Sequence, residues 1–356
     1  MPEPIYDTSA PVLVTGATGY VAGWLIKRLL EEGFTTHAAV RNPGNEAKRA
    51  HLDRIAADTP GSIHYFAADL LDQGSFAEAM AGCRVVFHTA SPFSARVDDP
   101  QRDLVDPALE GTRNVLASVN QTPSVERVVL TSSCAAIYGD NADVAQAPGG
   151  TLTEAQWNET SSLDHQPYSY SKTVAERAAW EMAGQQDRWR LVVVNPSLVV
   201  GPALQSKPTS ESFNLIKSVA DGTMKAGAPP FQVGMVDVRD VAEAHLRAAF
   251  VPDAEGRHIT SKESHTFLDL ANMLRGRFGE DWPFPKRELP KWLVWAVGPL
   301  VDRSFTRRFI AANAGIPWRA DHSKSVEKLG LTYGSIERAV TDMFEQMIEA
   351  GMIKKP

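Results

Sequence analysis

A phenol, an amine and a hydroxyl on this chain are spaced so that all three can act on one oxygen of a bound small molecule. Tyr168 and Lys172 lie four residues apart in the stretch PYSYSK. On a helix such residues share a face, whereas Tyr170, two before Lys172, points elsewhere. A phenol titrates at about 10, so it exchanges protons near neutrality only if its anion is stabilised. An ammonium beside it does this, and Lys172 is therefore expected to lower the Tyr168 pKa. Ser132 and Ser133 close the apolar run RVVLTSS. Ser133 can donate a hydrogen bond to the oxygen that Tyr168 protonates, as charge develops there. The chemistry this suggests is proton exchange with a carbonyl or alcohol oxygen.

A redox partner for that oxygen's carbon has its own signature upstream. Gly16-x-x-Gly19-x-x-Ala22 follows PVLVT, a run of strand type, and opens an apolar-periodic stretch, GYVAGWLIKRLLEEG. Glycines there allow a tight turn and the close approach of backbone N–H groups to a pyrophosphate, and the helix N-terminus adds positive potential. The next strand, THAAV, ends in Arg41-Asn42, where a carboxylate would be expected to take the ribose 2′-hydroxyl of NAD. A guanidinium with no acid favours the 2′-phosphate of NADP instead, and Lys48 adds a second cation.

These groups need elements that bring strand ends together. SIHYFAAD, RVVFHTAS, RVVLTSS and RLVVVNPS read as further strands, alternating with helical stretches such as EAKRAHLDRIAA, DPALEGTRNVLASVN and YSKTVAERAAWEMAGQ. Alternation of this kind implies right-handed crossovers and a doubly wound α/β fold whose parallel sheet is covered on both faces. Ligands then bind at the carboxyl ends of the strands. Residues 1–202 are expected to form the NADP-binding domain, with 233–260 returning to it, and residues 203–356 mainly a smaller C-terminal substrate-binding lobe. Phe93, Tyr138, Trp157, Phe213 and Met235 are candidate walls of an apolar substrate pocket.

Composition removes other classes. The 356 residues are 43% hydrophobic and 22% charged with a formal net charge of −7, which supports neither disorder nor a nucleic-acid surface. Cys83 and Cys134, the only cysteines, lack metal-cluster or disulfide spacing and are expected to be reduced and buried, so no metal is expected. The N-terminus MPEPIYDTSA has no secretory pattern and no run of about 20 apolar residues follows. A cytoplasmic protein with no membrane partner, a small-molecule substrate, and a monomeric or homodimeric state is the expectation.

The motifs VTGATGYVAGWLIKRLLEEG, AAVRNP, AADLLD, FHTASPF, TSSCAAIYGD, YSYSKTVAERAAWE, NPSLVVGP and VDVRDVAEAHLRA together resemble the extended short-chain dehydrogenase/reductases of the NAD(P)-dependent epimerase/dehydratase superfamily. Within them the chain is most similar to the branch of dihydroflavonol 4-reductase and cinnamoyl-CoA reductase. The resemblance implies a Rossmann-type fold and a catalytic set of Ser133, Tyr168 and Lys172. It implies that Gly16, Gly19 and the backbone of Thr18 and Tyr20 line the pyrophosphate, that Arg41 and Lys48 hold the 2′-phosphate of NADPH, and that Asp69 and Leu70 flank the adenine. Thr89, Ala90 and Ser91 would line the cofactor path, Lys172 would also bind the nicotinamide ribose, and Pro196 and Ser197 would sit at the nicotinamide. Where cinnamoyl-CoA reductases carry Asn-Trp-Tyr-Cys-Tyr-Gly-Lys, this chain has Gln166-Pro167-Tyr168-Ser169-Tyr170-Ser171-Lys172, which argues against a CoA thioester. The expected activity is NADPH-dependent interconversion of a bulky or aromatic aldehyde or ketone and its alcohol. A nucleotide-sugar epimerase or dehydratase with bound NAD and a non-catalytic NADP-binding sensor are the alternatives.

Overall fold

The computed structural model describes residues 6–91, 97–206, 208, 210–301 and 304–354. The first two hundred residues alternate as the sequence pattern requires: β1 (Val12–Thr15), α1 (Tyr20–Glu31), β2 (Thr35–Val40), α2 (Glu46–Ala57), β3 (Ser62–Ala67), α3 (Ala77–Met80), β4 (Val85–His88), α4 (Asp106–Gln121), β5 (Arg127–Thr131), α5 (Asn141–Val144), α6 (Pro167–Ala183) and β6 (Arg190–Pro196). Beyond them come β7 (Leu198–Val200), α7 (Glu211–Ala220), β8 (Gln232–Asp237), α8 (Val238–Phe250), β9 (Gly256–Thr260), β10 (Glu263–Thr266), α9 (Phe267–Phe278), α10 (Lys291–Val301), α11 (Arg307–Asn313), α12 (Ser323–Leu329) and α13 (Ile336–Glu349).

The main sheet has seven parallel strands in the order β3-β2-β1-β4-β5-β6-β9. The central strands β1, β4, β5 and β6 are apolar over most of their length because both faces are covered, whereas β2, β3 and β9 carry more polar residues. Val12, Val14, Phe87, Val129 and Val192 face the layer formed by α1 and α8. Leu13, Val86, Val128, Leu130 and Val193 face the layer of α4 and α6. A strand with one wet face could not use both sets, since successive side chains point to opposite sides.

A second sheet, β10-β8-β7, lies apart from the first and shares a core with α7, α9 and α13. Here the expected return segment divides: α8 and β9 join the main sheet's layers, but β8 pairs with β7 and β10 instead. The reason is local. β7 is separated from β6 by Ser197 alone, and its short run Leu198–Val200 takes β8 as a parallel partner. Both cysteines are buried and unbridged. Among the described residues no helix is long and apolar enough to cross a membrane.

Candidate active site

A cleft of about 1360 Å³ runs along the carboxyl ends of β1 to β4. The turn after β1 supplies Gly16, Thr18 and Gly19, the end of β2 supplies Arg41, α2 supplies Lys48, the end of β3 supplies Asp69 and Leu70, and the end of β4 supplies Thr89, Ala90 and Ser91. Gly16 has φ +62°, and a Cβ there would lie 2.9 Å from the Ala90 Cα. Only glycine allows both the turn and this approach of two strand ends. The turn is held by Gly19 N–H donating to Gly16 O at 2.8 Å, and α1 starts at Tyr20 with its first N–H groups lacking intrahelical acceptors.

The Tyr20 ring itself turns away into the second core, where its hydroxyl donates to Gly201 O at 2.6 Å and its ring meets Phe213 edge-on. Only its backbone belongs to the turn. Below the cleft, Thr89 Oγ1 donates to Thr15 O and Ala90 N–H to Thr15 Oγ1, so β1 and β4 are laced together at their ends. His88 pairs with Thr15 through Nδ1 at 3.0 Å. Burial and the nearby Lys172 charge push His88 down to about 3, so it stays neutral and structural. Asp69 Oδ1 accepts from Leu71 N–H at 2.9 Å, which shapes the loop after β3.

Sequence reasoning missed two members of the cleft. Arg54 adds a third cation to Arg41 and Lys48, and buried His51 has an Nε2 with no hydrogen-bond partner. Both lie on α2 at three-residue steps from Lys48, a spacing that could have found them. The opposite wall is Gln205 with Gln346 and Glu349, and Gln346 clamps the backbone of Ala203 through both of its amide atoms. Three cations with no carboxylate at the end of β2, beside a glycine turn and a helix N-terminus, fit a dinucleotide bearing a 2′-phosphate.

Lys172 and Tyr168, the pair expected to transfer the proton, stand at the far end. Lys172 Nζ donates to Ser91 Oγ at 2.9 Å and lies 5.7 Å from the centre of the Tyr168 ring, as the four-residue spacing requires. Tyr168 is 53% exposed. The expected lowering of its pKa is not found: the protein packed around the phenol and the Glu211 carboxylate act to raise it, although about half of the side chain stays in water. With the phenol protonated, the ammonium lies over the ring face and donates to Ser91. Loss of water pushes Lys172 down to about 8 against the pull of Glu176, one turn further on.

Glu176 is 1% exposed and accepts from Ser132 Oγ, Asn195 Nδ2, Trp180 Nε1 and Arg257 Nε. Ser132 is thereby committed to the interior. Ser133 caps the turn at Cys134–Ala136 by accepting from Ala135 N–H at 3.1 Å, and its hydroxyl donates to Pro196 O at 3.5 Å. Ser197 is tied to β9 through Thr260 O. These contacts join the ends of β5, β6 and β9.

The start of α6 is fixed by a buried knot. Asp140 accepts from His165 Nε2 at 2.7 Å, from Gln166 Nε2 at 2.8 Å and from Asn313 Nδ2 at 2.7 Å. Gln166, two residues before Tyr168, is the only non-glycine with positive φ among the described residues, at φ +56°. That conformation costs about 1–3 kcal/mol and persists only where neighbours over-determine it. Asp140 provides this, with α11 as its third arm. Asp140 and Asn313 are too far apart in the chain for any spacing rule to pair them.

The expected apolar walls hold up poorly. Phe213 and Met235 are buried in the core shared by α7, α9 and α13, because α7 and β8 turn those faces inward. Trp157 is sandwiched between Arg177 and Arg257, whose guanidiniums lie 4.6 and 4.0 Å from its ring centre. Tyr138 packs edge-on to Trp318 with its phenol pushed up by burial. Phe93 lies outside the described residues.

A Rossmann-type cleft flanked by Ser133 after β5 and by Tyr168 and Lys172 on α6 defines a dinucleotide-dependent class. The chain belongs to the NAD dependent epimerase/dehydratase family, whose model matches residues 12–260. It is 37% identical over 340 residues to cinnamoyl-CoA reductase CAD2 of Medicago truncatula, covering 95% of each chain. It is 34% identical over 349 residues to tetraketide alpha-pyrone reductase 1 of Arabidopsis thaliana, covering 96% of each. Among solved structures it is similar to Gre2 of Candida albicans in complex with NADPH, at 30% identity and TM-score 0.75, covering 96% of this chain and 99% of that one.

Proposed function

We propose that the protein is an NADPH-dependent reductase that converts an aldehyde or ketone to its alcohol, with Tyr168 as proton donor. The observation that carries this is Lys172, which touches both ends of the site: its Nζ bonds Ser91 on the cleft wall and overlies the Tyr168 ring. The relatives named for cinnamoyl-CoA and tetraketide alpha-pyrones, and the NADPH-bound Gre2, support a bulky carbonyl and this cofactor.

In this reading Arg41, Lys48 and Arg54 hold the 2′-phosphate and the β1–α1 turn holds the pyrophosphate. NADPH held there would supply the hydride to the carbonyl carbon. Tyr168, its pKa raised, carries its proton at neutral pH, which is the form reduction needs. It gives that proton to the carbonyl oxygen as negative charge develops there, and Ser133 Oγ donates a hydrogen bond to the same oxygen. Lys172, charged below about 8, stabilises the phenolate left behind. Glu176 keeps Lys172 from drifting lower, and Asp140 holds the first turn of α6 in place. Residues 1–202 with α8 and β9 serve the cofactor, together with Gln205, Gln346 and Glu349 on the opposite wall, and the rest of 203–356 builds the substrate side.

The test is loss of nicotinamide absorbance with a panel of aldehydes and ketones, using NADPH and NADH in parallel. Turnover with NADPH preferred is expected. Tight NADPH binding with no turnover of any carbonyl would sink the reductase reading in favour of a sensor.

A further inference from the structure

Helix α10 (KWLVWAVGPLV) has no charged residue after Lys291 and turns most of its apolar side chains to the outside. Trp292 is 70% and Leu300 86% exposed, with Trp295, Val297 and Val301 also exposed. Its inner face is narrow. Val294 joins the core of Ile310, Ala314 and Phe231, and Gly298 lets the helix sit close, since a Cβ there would lie 2.9 Å from Ile310 Cδ1. The outward set is therefore what this packing leaves over, and a contiguous apolar patch on a helix marks a docking surface.

Charge around the patch selects the partner. The described residues 286–301 and 304–308 hold five basic side chains and one acidic one, Glu288, in a chain of net charge −7. Arg307 stacks over the Trp295 ring at 4.8 Å, and Lys291 Nζ donates to Ala311 O at 2.9 Å, both next to the apolar face. Lys291, Arg307 and Arg308 have no carboxylate partner among the described residues. A second copy docked face to face about a twofold axis would bring these same cations together. A helix of 11 residues is about 16 Å long, too short to span a bilayer and suited to lie in its surface, with tryptophans at headgroup depth and cations against phosphate.

We propose that α10 is an interfacial helix that docks the protein on an anionic lipid surface. This is independent of the reductase reading and concerns a face outside the cofactor cleft. The experiment is co-sedimentation of the full chain with phosphatidylcholine vesicles, with and without phosphatidylserine, across a salt series. Binding is expected only with phosphatidylserine and is expected to weaken as salt rises. Leu300→Ser with Trp292→Ser should weaken binding about tenfold or more, by loss of buried apolar area. Arg307→Gln with Arg308→Gln should abolish the preference for phosphatidylserine. Retained NADPH binding and an unchanged thermal midpoint would show that each variant is folded. Failure to sediment with phosphatidylserine vesicles overturns the proposal. So does a concentration-dependent dimer, seen by sedimentation velocity, that Leu300→Ser abolishes, because the face then belongs to a second copy.

Discussion

Replacing Arg41 with glutamine is expected to separate the two nicotinamide cofactors. Arg41 is exposed at the end of β2 and has no ion-pair partner among the described residues, so its loss leaves the fold intact. A hydrogen bond to a charged group contributes about 1.5–3 kcal/mol, which corresponds to about 10- to 150-fold in a dissociation constant. Solvent screening of an exposed guanidinium, and the remaining Lys48 and Arg54, place the expectation near the low end, about ten- to thirtyfold. Arg41→Gln should thus weaken NADPH binding by that factor and change NADH binding by less than about twofold. Fluorescence titration of both reduced nucleotides against wild type and variant measures this directly. Equal weakening of the two, or no effect on NADPH, would refute the assignment of the basic cluster to a 2′-phosphate.

Three further outcomes follow from the site. Tyr168→Phe should lower kcat for reduction by about 10²–10⁴-fold with no change in NADPH affinity, whereas Tyr170→Phe should retain turnover; the reverse pattern assigns the acid to Tyr170. Lys172 sits at about 8, so it is cationic below that value and neutral above it. The kcat for reduction should fall as pH rises through about 8, and Lys172→Arg, which stays charged, should move any remaining limb upward; a profile flat to about pH 10 would refute the role of the cation. Asn313→Ala leaves the buried Asp140 carboxylate one donor short, with an expected loss of about 1–3 kcal/mol in unfolding free energy. It should also lower kcat more than it raises the NADPH dissociation constant, and an equal effect on both would mean the knot does not position Tyr168.

The two pictures of Tyr168 show where sequence spacing stops being informative. Four-residue spacing correctly places Lys172 beside the phenol, but it does not say which part of the ring the ammonium meets, or that Ser91 competes for it. The environment of Tyr168 comes from remote chain, including Glu211 on α7. The same limit explains the pocket walls. Phe213 and Met235 are as apolar as a pocket needs, yet the second sheet and its helices draw them into a core that no periodicity in residues 203–356 announces. The absence of a spanning segment likewise says nothing about α10, whose exposed apolar face exists only because Gly298 and Val294 fill its inner side.

By itself, the sequence determines the alternating strands and helices, the glycine turn, the basic end of β2 and the Tyr168–Lys172 pair. Each of these rests on contacts within a few residues, or on a period of two or 3.6, and such signals are local by nature. Tertiary structure alone decides that Ser132 turns inward to Glu176 while Ser133 caps the next turn, and that Asp140 gathers His165, Gln166 and Asn313 around the start of α6. Those partners meet because strand ends and a distant helix converge in space, and burial makes each unmet hydrogen bond too costly to leave open.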